Sequence, residues 1–281
     1  MPDQGRETAS PLTAPDVDAI ARAFVEARRQ ARPLDRFPGT LPSTLADAVA
    51  VQERALDLCG RRIAGWKVAM IRPDLRAPLA SDRLAGPIFA DAIHDLPQGG
   101  RAEVGVYAGG FAALEAEFVA RFARDLVPGP NGFDAAAILA ALAGLHAGAE
   151  VASSPFAGLN DLGPTAVVCD HGNNAGVVVG PELPDWREPS FLATPSRMRI
   201  GGEIAGEGSA ASVPGGPLAS LVWLAEHLAG RGRHLRAGDV VATGMTTGIH
   251  AVQPGMRGRI EFADVAPCDI DVTAFRPAAG G

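Results

Sequence analysis

Three glutamates in apolar segments are the side chains of this chain best suited to bind a metal ion. Glu115 and Glu117 lie in the strand-like segment 114–122, and Glu150 lies in the apolar segment 148–152. Side chains alternate across a strand, so Glu115 and Glu117 should share one face. One hard divalent cation between Glu115 and Glu117 would remove the conflict between their charges, and a buried Glu150 must be neutral, paired or metal-bound. The alternative is an edge strand that carries two solvated glutamates.

Lys67 is the only lysine in the chain, and it lies in the apolar segment 63–70. Arginine serves at most solvated cationic positions, whereas only lysine can lose its proton near neutral pH. Beside a divalent cation, burial and the charge of the cation would lower the pKa of Lys67 until it could exchange protons with a substrate. The alternative is an edge-strand lysine whose amine stays in water.

Two further polar segments are candidate substrate-binding sites. Asp170, His171 and Asn173 could line a pocket, although Asp and Asn near glycine often only form turns and a lone histidine is more often structural. Thr243 and Gly244 open a glycine-rich segment whose backbone amides could bind a substrate carboxylate, or which could simply be a β turn.

The elements that must position these residues are mostly short strands separated by glycine and proline. A hairpin turn is predicted at Gly201 and Gly202, inside one of the strand-like segments. The predicted strand segments are 63–70, 114–122, 149–152, 176–180, 196–207, 239–243, 258–262 and 269–275.

Helices are predicted at the start of the chain and between the strands. The first opens at Pro15, and the second runs from a cap at Ser43 to Gly60. A third falls within 133–146, and a fourth starts at Pro217. Strands and helices do not alternate regularly, so the sequence predicts an α+β fold with a rolled or sandwich-like mixed sheet rather than a doubly wound one.

Composition narrows the classes of protein that the chain can represent. Its 281 residues carry a formal net charge of -7, and without a basic cluster this argues against a nucleic-acid partner. The apolar runs are too short to span a bilayer and the first residues lack a signal-peptide core, so a cytoplasmic protein without membrane contact is expected. The three cysteines are far apart, which indicates neither a disulfide framework nor a zinc site.

Several motifs in a shared order give the chain a family resemblance over about residues 15–275. The chain resembles the 2-keto-4-pentenoate hydratases, which sit with the 2-oxo-hepta-3-ene-1,7-dioate hydratases and 4-oxalocrotonate decarboxylases in the fumarylacetoacetase superfamily. The motifs are Gly-Trp-Lys-Val-Ala at 65–69, Gly-Pro-Ile-Phe-Ala-Asp at 86–91, Leu-Glu-Ala-Glu at 114–117, Ala-Glu-Val at 149–151, Asp-His-Gly-Asn-Asn-Ala-Gly at 170–176, and the segments 202–204, 217–225 and 235–244.

The resemblance implies a fumarylacetoacetase-like mixed β-roll with a helical N-terminal portion and a Mg²⁺ or Mn²⁺ site. It places the metal carboxylates at Glu115, Glu117 and Glu150, the active-site lysine at Lys67 and an acid at Asp91. The domain organisation expected from it is a disordered tail at 1–13, a helical portion at 14–61 and a catalytic domain at 62–276.

The implied activity is hydration of a 2-hydroxy-2,4-dienoate, through its 2-oxo-enoate tautomer, to a 4-hydroxy-2-oxo acid in the breakdown of aromatic compounds. The alternatives are decarboxylation of 2-oxo-3-hexenedioate, acylpyruvate-type C–C bond hydrolysis, and a non-catalytic 2-oxo-acid-binding protein that assembles with a pathway partner enzyme. The family also implies a homo-oligomer. The chain departs from the family after Glu150, where a Ser-Arg pair is replaced by Ser153-Ser154, so a cationic side chain near the substrate is expected to be missing.

Overall fold

The computed structural model describes residues 11–128 and 132–277. Most of the predicted disordered tail at 1–13 therefore lies outside the described residues. Within the described residues, no helix is both long and apolar enough to cross a membrane. The α-helices are α1 (Ala14–Arg29), α2 (Leu45–Cys59), α3 (Pro73–Leu79), α4 (Ala135–Ala141), α5 (Leu159–Leu162), α6 (Pro164–Cys169) and α7 (Gly216–Ala229).

The first two helices begin and end close to where the sequence predicts. Thr13 caps α1, since its side chain accepts a hydrogen bond from the backbone N–H of Asp16. The cap of α2 is Thr44, one residue after the predicted Ser43. α2 ends at Gly60, whose φ of 63° is a left-handed conformation that favours glycine. Both helices therefore follow from local signals in the sequence.

One large sheet carries the candidate site. Its path runs β2-β1-β10-β5-β6-β7-β3, and β11 pairs with β5 beside that path. β2 also contacts β7 near the opposite edge, so the sheet curls into a roll. The strands are β1 (Ile63–Met70), β2 (Arg83–Phe89), β3 (Ile93–Asp95), β4 (Gly100–Val106), β5 (Phe111–Phe122), β6 (Leu142–Ser154), β7 (Asn174–Glu182), β8 (Pro195–Ile200), β9 (Glu203–Ser209), β10 (Val240–Met245), β11 (His250–Ala251), β12 (Arg257–Phe262) and β13 (Cys268–Ala274).

A second, five-stranded sheet in the order β4-β13-β12-β8-β9 packs against the outside of the roll. The predicted hairpin at Gly201 and Gly202 joins β8 to β9. Leu114, Ala116 and Phe118, on the apolar face of β5, are fully buried in the core on the outer side of the roll. The glutamates of the same strand must therefore face its interior.

The structure corrects the predicted helix within 133–146. Helix α4 stops at Ala141, and the chain continues from Leu142 as β6, where it pairs with β5 from Phe122 onward. Alanine and leucine favour a helix locally, but twelve paired positions along β5 and β6 decide the outcome here. The sequence also does not predict four strands and three helices, all of which are short or contain proline or glycine: β2, β3, β4, β11, α3, α5 and α6.

Candidate metal centre and active site

The pairing of β5 with β6 brings the three glutamates together. Glu115 lies directly opposite Glu150 in the antiparallel ladder, and Glu117 follows on the same face of β5. One carboxylate oxygen from each of the three lies within 4.8 Å of the others. Glu115 is 5% exposed, and Glu117 and Glu150 are fully buried. β5 lies between β10 and β6, so the alternative of an edge strand with solvated glutamates does not hold.

Lys67 reaches the same cluster from β1. Its Nζ lies 3.3 Å from Oε2 of Glu150, and it donates a hydrogen bond of 3.1 Å to Oδ1 of Asn173. The side chain is 2% exposed, so the alternative of a lysine with its amine in water does not hold either. Strand β10 separates β1 from β5, and the small side chain of Ala242 occupies the register position between Lys67 and Val119.

Backbone and amide groups orient two of the glutamates. The backbone N–H of Gly244 donates to Oε2 of Glu117 at 2.8 Å, and Nδ2 of Asn174 donates to Oε1 of Glu150 at 3.0 Å. The other oxygen of Glu117, Oε1, is buried and has no hydrogen-bond partner among the described residues, and the other oxygen of Glu150, Oε2, has only the ion pair with Lys67. Buried carboxylate oxygens without a full set of donors are costly, and three buried carboxylates this close together fit a hard divalent cation with oxygen ligands.

The charges of the cluster shift the pKa values of its members. Burial, together with the charge of Glu150, raises the pKa of Glu115 from 4.5 to about 8. Burial and the charges of Glu150 and Glu115 also raise the pKa of Glu117 well above its ordinary value. Burial lowers the pKa of Lys67, but the three neighbouring glutamates outweigh it and leave that pKa raised. Without a cation, Lys67 therefore stays charged at neutral pH, in contrast to the lowered pKa expected beside one.

These shifts predict that the glutamate cluster contributes less and less to the stability of the metal-free protein as the pH rises from about 5 to 8. In that range the folded cluster binds more protons than the same residues in the unfolded chain, because the carboxyl pKa values rise on folding from 4.5 toward about 8. The raised pKa of Lys67 adds stability that is constant across this range. Buried and half-buried histidines with lowered pKa values have the opposite effect on stability, and they are present with and without metal. Urea unfolding in EDTA and in excess Mg²⁺ at both pH values therefore measures the cluster as the difference between the two media. The stability gained from Mg²⁺ should be larger at pH 8 than at pH 5, and a gain that is independent of pH would contradict the prediction.

The segment 170–174 is held against the roll by close packing and by an arginine that the sequence did not reveal. Asp170 is fully buried and pairs with Arg28 of α1, with 2.5 Å between Oδ1 and Nε. Arg28 also donates to the backbone oxygens of Asn174 and Ser153. A Cβ on Gly172 would lie 2.8 Å from Cα of Gly86, so only glycine permits this approach. Arg28 thus supplies a buried cation from helix α1 in a chain that lacks the Ser-Arg pair after Glu150.

Of the other predicted substrate-binding residues, Asn173 and Gly244 contact the cluster and Thr243 is structural. Asn173 lies at the cluster and also donates to Oδ1 of Asn160, while Gly244 contacts Glu117 rather than a free pocket. Thr243 is fully buried, and its hydroxyl donates to the backbone oxygen of Phe118, which makes its role structural. Asn160 and Asn174 were not predicted, because asparagine in a loop has no distinctive pattern in the sequence.

Asp91 and His171 lie away from the glutamates. Lys67 pairs with Gly86 in β2, and the strand runs three residues, about 10 Å, beyond Gly86 before the turn that carries Asp91. The Asp91 side chain is 68% exposed and pairs with Arg61 at 2.6 Å. The ring of His171 packs edge-on against Phe89, which belongs to the core outside the roll. The structure therefore does not bring Asp91 to the cluster as the resemblance implies.

Comparison with known proteins gives relatives over most of the chain, although no family model matches it. The chain is 30% identical over 217 residues to 2-keto-4-pentenoate hydratase 1 of Dechloromonas aromatica (strain RCB), which covers 75% of this chain and 79% of the relative. It is 28% identical over 249 residues to the 4-oxalocrotonate decarboxylase of Pseudomonas putida, which covers 87% of this chain and 92% of the relative.

Solved structures share the fold. The 4-oxalocrotonate decarboxylase from Pseudomonas putida G7, complexed with magnesium and adipate, matches with a TM-score of 0.75 at 23% identity over 93% of this chain and 98% of that chain. A fumarylpyruvate hydrolase from Pseudomonas aeruginosa, in complex with Mn²⁺ and pyruvate, matches with a TM-score of 0.54 at 15% identity over 75% of this chain and 89% of that chain. These likenesses confirm the predicted fumarylacetoacetase-like fold.

Proposed function

Because the chain belongs to the family of 2-keto-4-pentenoate hydratases and 4-oxalocrotonate decarboxylases, we propose that it is a metal-dependent hydratase of a 2-hydroxy-2,4-dienoate. The observation that carries the proposal is the buried cluster of three glutamates with the only lysine of the chain 3.3 Å from one of them. A buried acidic cluster with an ionisable group beside it is typical of a catalytic metal centre.

Glu115, Glu117 and Glu150 are the proposed ligands, and Mg²⁺ or Mn²⁺ is the proposed ion. The donor set consists of carboxylate oxygens alone, which suits hard cations of this kind. When bound, such an ion would offset two of the three negative charges of the glutamates and would polarise the carboxylate and 2-oxygen of a 2-oxo acid. Two relatives of the same fold were solved with magnesium or Mn²⁺, which supports this choice.

Lys67 is the proposed proton-transfer residue. Its ammonium can donate a proton to C5 of 2-hydroxypenta-2,4-dienoate while the 2-hydroxyl gives one to water. The raised pKa of Lys67 belongs to the metal-free cluster, and a bound cation would offset the glutamate charges that raise it, which would ease the transfer. The product of this step is the conjugated 2-oxo-3-enoate. Water then adds at C4, and C3 takes up a proton from water in place of the one that the 2-hydroxyl released, which gives the 4-hydroxy-2-oxo acid. The neutral amine left after the first transfer is the base that can recover a proton from the attacking water.

The neighbours of Lys67 hold its ammonium group in one position. Oε2 of Glu150 and Oδ1 of Asn173 hold Nζ from two sides, and Asn173 is held in turn by Asn160. Such fixed partners keep the donor in one position relative to a bound substrate. We therefore propose Asn173 as the residue of segment 170–174 nearest the reaction, and Asp170 as a positioning residue that acts through Arg28 and the segment.

Decarboxylation of 2-oxo-3-hexenedioate is the second candidate, since the decarboxylase of Pseudomonas putida aligns with 87% of this chain. That substrate carries a second carboxylate, which calls for a cationic partner. All three guanidinium nitrogens of Arg28 already donate hydrogen bonds to Asp170 or to backbone oxygens. An arginine with its donors in use is a poor partner for a distal carboxylate, and this favours the hydratase.

The test is the ultraviolet absorbance of 2-hydroxypenta-2,4-dienoate with the purified protein, in Mg²⁺, in Mn²⁺ and in EDTA. Metal-dependent loss of the diene with formation of 4-hydroxy-2-oxopentanoate supports the hydratase. Release of carbon dioxide from 2-oxo-3-hexenedioate without diene hydration would establish the decarboxylase instead. Cleavage of an acylpyruvate would point to the hydrolase, and metal-dependent binding of a 2-oxo acid without any turnover would leave the non-catalytic alternative.

We further propose that the enzyme is a homo-oligomer, as the family resemblance implies, and that it acts in the cytoplasm. Sedimentation of the purified chain tests the assembly.

A further inference from the structure

A cavity of about 440 Å³ lies on the far side of β6 from the glutamate cluster. Val151 lines it, and Val151 follows Glu150 in β6, so its side chain points to the opposite face of the strand from that glutamate. Helices α1 and α2 contribute Arg28 and Leu58, and β4 contributes Val104. We call this space the outer cavity. Asn174, whose side-chain amide donates to Glu150, also lines it, so the outer cavity and the metal centre lie on opposite sides of the same strands.

The outer cavity carries an excess of positive charge. Arg28, Arg29, Arg61 and Arg276 line it, and Asp91 is the one acidic side chain among the described lining residues. Asp91 pairs with Arg61, whereas Arg28 and Arg29 pair with carboxylates outside the lining. Arg276 forms no ion pair with a described residue. Arginine lines carboxylate-binding sites well because its planar group donates two parallel hydrogen bonds.

The walls of the outer cavity are aromatic. Tyr107 and Phe275 pack with their ring centroids 4.7 Å apart, and the guanidinium of Arg61 lies 4.1 Å from the ring centroid of Phe89. Flat apolar walls beside cationic groups complement a ligand with a planar body and a carboxylate. The volume lies within the usual range for small-molecule pockets.

A buried histidine in the lining is left with an unused polar atom. His171 is 2% exposed, and its Nδ1 has no hydrogen-bond partner among the described residues. Its backbone φ of 55° lies in the left-handed region, which histidine adopts more often than most residues other than glycine. Burial, with the charges of Arg28 and Arg61, lowers the pKa of this histidine well below its ordinary value. The imidazole is therefore neutral and can offer one N–H to an anion.

We propose that the outer cavity is a second ligand site that binds a small aromatic carboxylate independently of the metal centre. The carboxylate pairs with Arg276 and with Nη1 of Arg61, the one nitrogen of that guanidinium that does not donate to Asp91, and the ring lies between Phe89, Tyr107 and Phe275. This site goes beyond the proposed hydratase activity, and it does not depend on that activity.

Sodium benzoate is the probe, titrated calorimetrically into the full chain in EDTA and in Mg²⁺. Benzoate should bind with a dissociation constant on the order of 1 mM or tighter under both conditions, in keeping with the usual limit for so small a ligand. Benzamide, which has the same shape without the charge, should bind at least about tenfold more weakly. The readout is binding, so loss of the proposed hydratase activity would leave this test intact.

Arg61→Gln is the variant that tests the location of the site, and Arg197→Gln is its matched control. Arg61 and Arg197 are 37% and 38% exposed and both form surface ion pairs, but Arg197 lies on the second sheet. Benzoate affinity should fall about tenfold in Arg61→Gln and remain unchanged in Arg197→Gln. Absence of binding, equal affinity in the two variants, or binding that requires Mg²⁺ would each overturn the proposal.

Discussion

Replacing Lys67 with methionine should lower the kcat of dienoate hydration by about 100- to 10,000-fold, the range that a positioned proton donor contributes. Methionine keeps the long apolar stem of the buried side chain and removes only the ammonium. Mg²⁺ affinity should stay the same or improve, because a cation 3.3 Å from Glu150 no longer competes with the metal for the glutamates. Steady-state kinetics and calorimetric titration with Mg²⁺ measure the two effects.

The Lys67→Arg variant shows whether the reaction needs a proton from residue 67 or only its positive charge. Arginine keeps the positive charge beside Glu150, but its pKa is too high for it to release a proton at neutral pH. It should therefore be nearly as inactive as Lys67→Met. Turnover of Lys67→Met within a few-fold of the wild-type rate would show that another group moves the proton. Activity restored in Lys67→Arg would mean that only the charge is needed.

The cluster of three glutamates was predictable because the features of the sequence that indicate it are local and periodic. Glu115 and Glu117 share a face by the twofold repeat of a strand, which needs no knowledge of the rest of the fold. Glu150 was singled out because a glutamate in an apolar segment needs a partner, and Lys67 because it is the only lysine. That Glu115 and Glu150 lie opposite each other depends on the register of β5 with β6, and only the structure shows it.

The surroundings of the cluster were not predictable, because they depend on contacts between distant parts of the chain. Arg28 and Asp170 are separated by 142 positions, and nothing in the sequence of α1 marks Arg28 among its other arginines. Asn174 acts on Glu150 only because β7 pairs with β6. Asp91 shows that a short matching motif does not fix the position of a side chain. The motif at 86–91 matches the family, but β2 runs away from the cluster beyond Gly86, so Asp91 lies at a distance from the glutamates.

Glu117→Gln should weaken Mg²⁺ binding by at least about 100-fold, since even residues that only orient a metal ligand are worth 10- to 100-fold. Glu117 is fully buried, its Oε1 has no partner among the described residues, and the amide keeps the size of the side chain. At a Mg²⁺ concentration 100 times the wild-type dissociation constant, wild type gains about 2.7 kcal/mol of stability. The variant should gain only about 0.4 kcal/mol by the same relation. Denaturant unfolding with and without Mg²⁺ measures both gains.

The metal-free variant distinguishes a metal ligand from a structural glutamate. The charges of Glu150 and Glu115 help to raise the pKa of Glu117, so a neutral amide relieves repulsion at pH 8. Glu117→Gln in EDTA should therefore be as stable as wild type at that pH, or more so. A structural glutamate would show the opposite sign, with a loss of stability that Mg²⁺ does not affect. Glu203→Gln, at the exposed start of β9, should change neither the metal-free stability nor the gain from Mg²⁺. A ligand that destabilises its own metal-free fold is what a site selected for metal binding should contain.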